Sequence, residues 1–230
     1  MSNIFSNPLF GLIISVAAFE LGCILYKKTK LPVFNPLLVS ITIIILFLKI
    51  FNISLESYNN GASIINFFLA PSTVVLAVPL YKKIKLLQAH ALPIIAGIVV
   101  GSASGIISII YLSKAFSLKS TLGVSLIPKS ITTPIGIEIS KQLGGIPAVT
   151  VSVIIITGIL GAIIGPSICK IFRIKDQVAV GISLGTASHA IGTTKAMEIG
   201  EVEGAMSGLA IGIAGLVTVF LAPVLFRLLG

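Results

Sequence analysis

Pro128-Lys129-Ser130-Ile131-Thr132-Thr133-Pro134 stands at the centre of a moderately apolar piece, residues 121–141, that also carries Glu138 and Lys141. That much polarity does not suit a lipid-facing helix. Two prolines interrupt the helical hydrogen-bond ladder, and in a bilayer the freed backbone groups must be satisfied by protein, water or a bound solute. The piece is therefore read as broken or re-entrant. Around it, apolar stretches of spanning length, about 20 residues, occupy 7–25, 33–51, 62–81, 89–112, 145–169, 178–197 and 205–229. The expectation is an all-α polytopic membrane protein with about seven to eight transmembrane segments, some discontinuous or re-entrant, in a single domain over residues 1–230.

Composition carries the same class. Of 230 residues, 56% are hydrophobic and 10% charged, against roughly 25% charged in soluble domains, so there is too little polar surface to cover a water-facing globule. The 22 glycines and 11 prolines are tolerated in membrane helices and read as packing and breaking positions. The net charge of +9 comes from 16 basic residues against seven acidic ones. These basic residues form short clusters between apolar stretches and are not interleaved with aromatics, so they are read as cytoplasmic loops and not as a nucleic-acid interface. Cys23 and Cys169 lie far apart with no metal-like spacing to histidine, and no metal or cofactor is expected. The first apolar segment has no basic region before it and no small-residue cleavage site after it, and reads as a retained helix.

Loop charges suggest a topology in which Lys27, Lys28 and Lys30, then Lys82, Lys83 and Lys85, then Lys170, Arg173 and Lys175 are cytoplasmic. The N-terminus, Glu56, Glu201 and Glu203 then lie outside and Arg227 inside, provided 121–141 enters and leaves on one side or crosses twice in two short pieces. Residues 33–112 and 145–229 share a hydropathy register at an offset of about 111 residues with opposite orientation, which resembles an inverted repeat. In each unit the middle span is the interrupted one: Ala70-Pro71-Ser72-Thr73 with Pro79 in the first, Gly185 to Lys195 in the second. Matching broken helices point to a solute site in a secondary transporter.

Half-helix N-termini offer N–H donors and partial positive charge to an anion. Residues 128–134 add three hydroxyls and one cation; residues 186–195 add hydroxyls, His189 and Lys195, with Gly185 and Gly192 permitting irregular backbone. Together they suit a small carboxylate. A plainer reading stands beside each: Thr132, Thr133, Thr193 and Thr194 bonding back to their own helices, Lys129 snorkelling to an interface, and His189 tying helices together. Glu138 with Lys141 reads as a structural i, i+3 pair. No hydrolase or nucleotide-binding motif is present, and adjacent Ser188 and His189 do not face each other on a helix, so the chain is not expected to be an enzyme.

Asn35-Pro36-Leu37-Leu38, Ala70 to Thr73 running to Val78-Pro79-Leu80-Tyr81-Lys82, Pro128 to Pro134, Gly161-Ala162 with Gly165-Pro166, Ser188-His189-Ala190 with Gly192-Thr193 and Lys195-Ala196, and Glu203-Gly204-Ala205 together resemble the LrgB/CidB family over essentially the whole chain. The resemblance implies a multi-pass protein of the bacterial inner membrane. It carries an antiholin-like role, modulation of murein hydrolase activity and autolysis, with a small LrgA/CidA-like membrane partner. The family is also similar to the C-terminal part of the plastid glycolate/glycerate translocator, and some of its pairs are implicated in pyruvate transport. Joined to the broken-helix chemistry, this implies a monocarboxylate carrier in which Lys129 or Lys195 neutralises the carboxylate. Ser72, Thr73, Ser130, Thr132, Thr133, Ser188 and Thr193 would contribute hydroxyls and His189 a coupled proton. A chain of 230 residues is small for an alternating-access carrier, so a homo-oligomer or a complex is expected.

Overall fold

The computed structural model describes residues 7, 9–29, 34–68, 71, 81 and 84–230, and its regular structure is helical. Two compact units divide the chain, residues 1–75 and 76–230.

The first unit holds α1 (Leu9–Thr29), α2 (Pro36–Ile50) and α3 (Leu55–Phe67). Helix α2 starts where Asn35 Oδ1 accepts from Leu37 N (2.9 Å) and Leu38 N (3.4 Å), with Pro36 at the first position where its missing N–H costs nothing. Gly11 of α1 meets the backbone of Tyr58 and Ala62, and Gly22 meets that of Pro36, so small residues set the closest approaches. Ser72, Thr73 and Pro79 lie outside the described residues, as does most of the first interrupted span, 62–81, of which 62–68, 71 and 81 are described.

The second unit runs α4 (Ile84–Ala89), α5 (Ala91–Ala115), α6 (Ser120–Leu126), α7 (Thr133–Gln142), α8 (Pro147–Ile171), α9 (Gln177–Ile199) and α10 (Glu201–Leu229). By length and composition α1, α5, α8 and α10 can each cross a membrane. The short elements do something else. Thr150 of α8 donates to Ser125 O (2.9 Å) and Ser140 Oγ (2.7 Å), and Ile146 N donates to Ser125 Oγ (2.7 Å). Pro128 O lies 3.5 Å from where a Cβ on Gly136 would be. Residue 125 is thus level with 140, and 128 with 136: α6 and α7 form a hairpin with its tip at 129–133, leaving from the side on which it enters.

Helix α9 is a hairpin as well. Its backbone breaks at His189, φ 42° and ψ −135°, a region that costs a side-chain-bearing residue about 1–3 kcal/mol. A Cβ on Gly192 would lie 2.5 Å from Leu184 O and 2.6 Å from Ser188 Cβ, whereas eight residues of continuous helix separate such groups by roughly 12 Å. Ser207 of α10 bonds Thr193 (2.7 Å) on the second limb while its backbone meets Gly185 on the first. Limbs 177–188 and 190–199 therefore lie side by side. The sequence expectation of a crossing span at 178–197 is corrected: the chain turns back at His189, so Glu201 and Glu203 share a face with Lys170, Arg173 and Lys175, and Arg227 ends on the opposite face.

Small residues seat these pieces. Gly161 of α8 packs on Ser188, Gly165 on Leu184, and Gly181 and Gly185 on the α10 backbone. Helices α5 and α10 run in the same direction, since Ile94 and Ile98 cluster with Ala205, Met206 and Ala210, and Ile106 and Ile110 with Ala222.

A long helix followed by a hairpin occurs twice. Helices α5 and α8 are both 25 residues long, and Lys114-Ala115-Phe116-Ser117-Leu118-Lys119 returns 56 residues later as Lys170-Ile171-Phe172-Arg173-Ile174-Lys175. Each copy ends its helix by the same two bonds. Leu118 N reaches Ser113 O (2.9 Å) and Ser117 N reaches Lys114 O (3.0 Å); Ile174 N reaches Cys169 O (2.8 Å) and Arg173 N reaches Lys170 O (3.1 Å). Lys49-Ile50-Phe51-Asn52-Ile53 closes α2 in the same way. The same spacing relates Pro128 and Gly136 to Leu184 and Gly192, which hold the two hairpins closed. This duplication differs in register from the offset of about 111 residues read from hydropathy, whose first unit runs into undescribed residues.

Ser117 (φ 51°) and Arg173 (φ 57°) hold the left-handed cap position that glycine fills at no steric cost. Ser117→Gly is expected to stabilise the fold by about 0.5–1 kcal/mol, read as a raised midpoint in thermal unfolding of detergent-solubilised protein.

Candidate functional site

A cavity of about 590 Å³ lies within the second unit, a size suited to a small ligand. One end is formed by His90 and Asp176, both exposed; Asp176 Oδ1 also caps α9 by accepting from Ala179 N (2.8 Å). From there one wall descends α5 past Gly97, Gly101, Ser102 and Gly105, and another descends the first limb of α9 past Ser183 to Thr186 and Ala187. Pro128, Lys129 and Ser130 meet these walls from the other direction, at the tip of the α6–α7 hairpin, and Thr218 of α10 adds a hydroxyl. That hydroxyl already donates to Ala214 O (2.7 Å).

Lys129 is half-buried and donates to Ser130 Oγ (3.0 Å). Among the described residues no carboxylate pairs with it, although two other lysines are paired, Lys141 with Glu138 (2.8 Å) and Lys195 with Glu198 (2.7 Å). An ammonium at hydrophobic depth lacking an opposite charge is costly, and a bound anion would supply that charge. The α5 and α9 walls are also incompletely satisfied. Ser102 and Thr186, each 8% exposed, have hydroxyl oxygens that are buried and without a hydrogen-bond partner. Both residues line the cavity, but their hydroxyl oxygens are closed off from its open space, so Lys129 and Ser130 are left as its candidate anion-binding groups.

Of the candidates named from sequence, the structure brings Lys129, Ser130 and Thr186 to the cavity lining and places Thr132, Thr133, Ser188, His189, Thr193 and Lys195 elsewhere, while Ser72 and Thr73 lie outside the described residues. Thr132 precedes α7 and makes no side-chain cap bond, Thr133 begins that helix, and neither lines the cavity. Ser188 is buried against Gly161. His189, 5% exposed, donates from Nε2 to Ile154 O (2.9 Å), pinning the second hairpin tip to α8; it does not face the cavity. Thr193 bonds Ser207 Oγ (2.7 Å) and donates to His189 O (3.1 Å), and the Lys195 pair with Glu198 spans one helical turn at the far end of the second limb. These groups hold the hairpin in shape. Thr193→Val is accordingly expected to cost about 1–3 kcal/mol of stability by stranding the buried Ser207 hydroxyl, with ligand affinity unchanged in a binding assay on the folded fraction.

Sequence reading missed the α5 wall, because Ser102 sits in an apolar run. The available signal was Gly97, Gly101 and Gly105 at four-residue spacing, which puts three glycines on one helix face. Gly97 and Gly105 would meet no atom within 4 Å on gaining a Cβ, so this face borders open space. Among the described residues no three His, Cys, Asp or Glu side chains gather as a metal site requires.

The family model described as the LrgB-like family matches residues 15–228. Two curated proteins named Antiholin-like protein LrgB, from Bacillus cereus (strain B4264) and Bacillus anthracis (strain A0248), are each 38% identical over 225 residues, covering 97% of this chain and 98% of the relative. No solved structure matches. Across nearly its full length, then, this helical membrane chain belongs to the LrgB-like family.

Proposed function

We propose that the chain carries a small monocarboxylate, of the pyruvate, glycolate or glycerate kind, across the bacterial inner membrane. The observation that carries this reading is Lys129, an ammonium that lines the cavity from the tip of the α6–α7 hairpin and has no carboxylate partner among the described residues. The hairpins are re-entrant in this reading, one from each membrane face, which is the arrangement expected of discontinuous helices around a midplane site. Helix α5 with its hairpin and α8 with its own form the inverted pair. If the Lys170 face is cytoplasmic, the cavity opens inward in this conformation, where Gly97 and Gly105 are uncovered while the matching Gly161 is covered by Ser188. Exchange of these two packings would open the other side. No catalytic step is required. A small LrgA/CidA-like membrane protein or a second copy of the chain would complete the carrier.

The relatives' printed name, antiholin-like, favours a second reading, an antiholin-like role, which we take in the form of a regulator of murein hydrolase activity and autolysis without solute transport of its own. Lys129→Gln separates the two in cells. A carrier loses carboxylate uptake when Lys129 is neutralised, whereas a regulator acting through assembly keeps its autolysis phenotype and never supported uptake.

A further inference from the structure

We infer that the glycine face of α5 is a subsite for an apolar tail, so that the cavity takes alkyl monocarboxylates longer than pyruvate, glycolate or glycerate. The acid head rests on the carrier reading, and the tail subsite on the shape of the cavity. Lys129 fixes the depth at which a carboxylate would sit. Ile127 and Ile131, which flank it, cluster with Ile106 of α5, so the hairpin tip is level with Gly105. The mouth is formed by His90, which precedes α5, and by Asp176. From Gly105 back to His90 the helix covers about 22 Å at roughly 1.5 Å per residue. A small acid held at Lys129 therefore fills only the inner end of a cavity of about 590 Å³.

The remaining length is lined for hydrocarbon. Gly97, Gly101 and Gly105 line it from one face of α5, and a Cβ on Gly97 or Gly105 would meet no atom within 4 Å. The first limb of α9 contributes Val178, Ala179, Ile182 and Ala187. Ser183 is exposed along the same limb, whereas the hydroxyl oxygens of Ser102 and Thr186 are closed off. Gly97 and Gly105 are about 12 Å apart along the helix, a length that an extended chain of about ten carbons covers at roughly 1.2 Å per bond. Charge sets the direction of the ligand. Lys129 lies at the inner end and the Asp176 carboxylate at the mouth, so an acid head is drawn inward and its tail points outward along the glycines. Each methylene withdrawn from water there adds about two- to fourfold in affinity.

The test is equilibrium dialysis of the full-length purified chain against radiolabelled butyrate, octanoate and decanoate, with the same detergent on both sides and only displaceable label counted. Wild type is expected to bind decanoate at least about fiftyfold tighter than butyrate, at about twofold or more for each added methylene. This series needs no variant and tests the subsite by itself. Gly97→Leu should weaken decanoate by about tenfold or more and leave butyrate within about twofold, because the shorter acid ends before residue 97. Gly105→Leu, level with the head, should weaken both. Gly212→Leu in α10, which also enters open space but does not line the cavity, should change neither, and Lys129→Gln should weaken both together. Affinity that does not rise with chain length overturns the subsite, as does a folded Gly97→Leu protein that weakens both acids equally or neither, or a wild type that binds neither acid. Glycolate flux with a flat chain-length series removes the subsite and keeps the carrier reading. The predicted series without flux in vesicles does the reverse.

Discussion

Lys129→Gln should reduce carboxylate uptake by about two to three orders of magnitude while leaving the thermal midpoint unchanged or raised. The two halves of that result come from one cause. The amine sits half-buried beside Ser130 with no carboxylate partner among the described residues, so the empty protein bears the desolvation cost of the charge. Removing it relieves that cost, as often happens where stability has been exchanged for function. A bound carboxylate would compensate the ammonium in a low-dielectric site, and breaking such a pair typically costs 3–5 kcal/mol, which is the origin of the expected loss. A purely structural or snorkelling lysine predicts otherwise, with Gln tolerated in both assays or stability reduced. Initial rates in vesicles and melting in detergent, measured on the same preparation, decide between these.

The second large effect separates two glycines that occupy corresponding positions. Gly192→Ala is expected to destabilise the protein by about 3 kcal/mol or more, and Gly136→Ala by clearly less, about 2 kcal/mol at most. At Gly192 the new Cβ would meet Leu184 O at 2.5 Å and Ser188 Cβ at 2.6 Å, across the closed limbs of the α9 hairpin, and a backbone carbonyl cannot step aside without opening the hairpin. At Gly136 the 2.5 Å contact is with Ile154 Cδ1, the free end of a flexible side chain, and the corresponding carbonyl, Pro128 O, is 3.5 Å away. Ile154 is fully buried, so moving its Cδ1 costs about 1–3 kcal/mol, part of which the gain in helix propensity of up to about 1 kcal/mol offsets. Unfolding of the two variants in mixed detergent micelles gives the comparison directly. Equal costs would mean that the second hairpin is looser than its contacts indicate.

Both glycines lie in segments whose polarity marked them in the sequence, which is why the hairpin tips were legible. Pro128 to Pro134 breaks because two prolines and a lysine cannot continue a lipid-facing helix. Loop charges require that piece to end on the side where it begins, and the level pairing of 125 with 140 and 128 with 136 shows a hairpin. At 178–197 hydropathy misled, since the two limbs of a hairpin are together as long and apolar as one crossing span. The deciding event is a single backbone conformation at His189, which composition does not encode. One misread crossing then reversed the side assigned to Glu201, Glu203 and Arg227. The duplicated Lys-x-Phe termini were visible in the residues, yet a search for hydropathy register at long offset passes over a six-residue helix end. Within the site, Lys129 and Ser130 announced themselves by their polarity at depth. Thr186 was marked only as part of the 186–195 stretch and Ser102 not at all, because serine and threonine in membrane helices usually bond their own backbone, and only the fold reveals which hydroxyls are left without a partner.

The most direct measurement is uptake of radiolabelled glycolate into proteoliposomes containing the purified chain, alone and with an LrgA/CidA-like partner. A carboxylate site at Lys129, at the tip of the α6–α7 hairpin, predicts saturable uptake, competed by pyruvate and largely lost in Lys129→Gln. Absence of saturable flux under both conditions, with the protein correctly inserted, would contradict it.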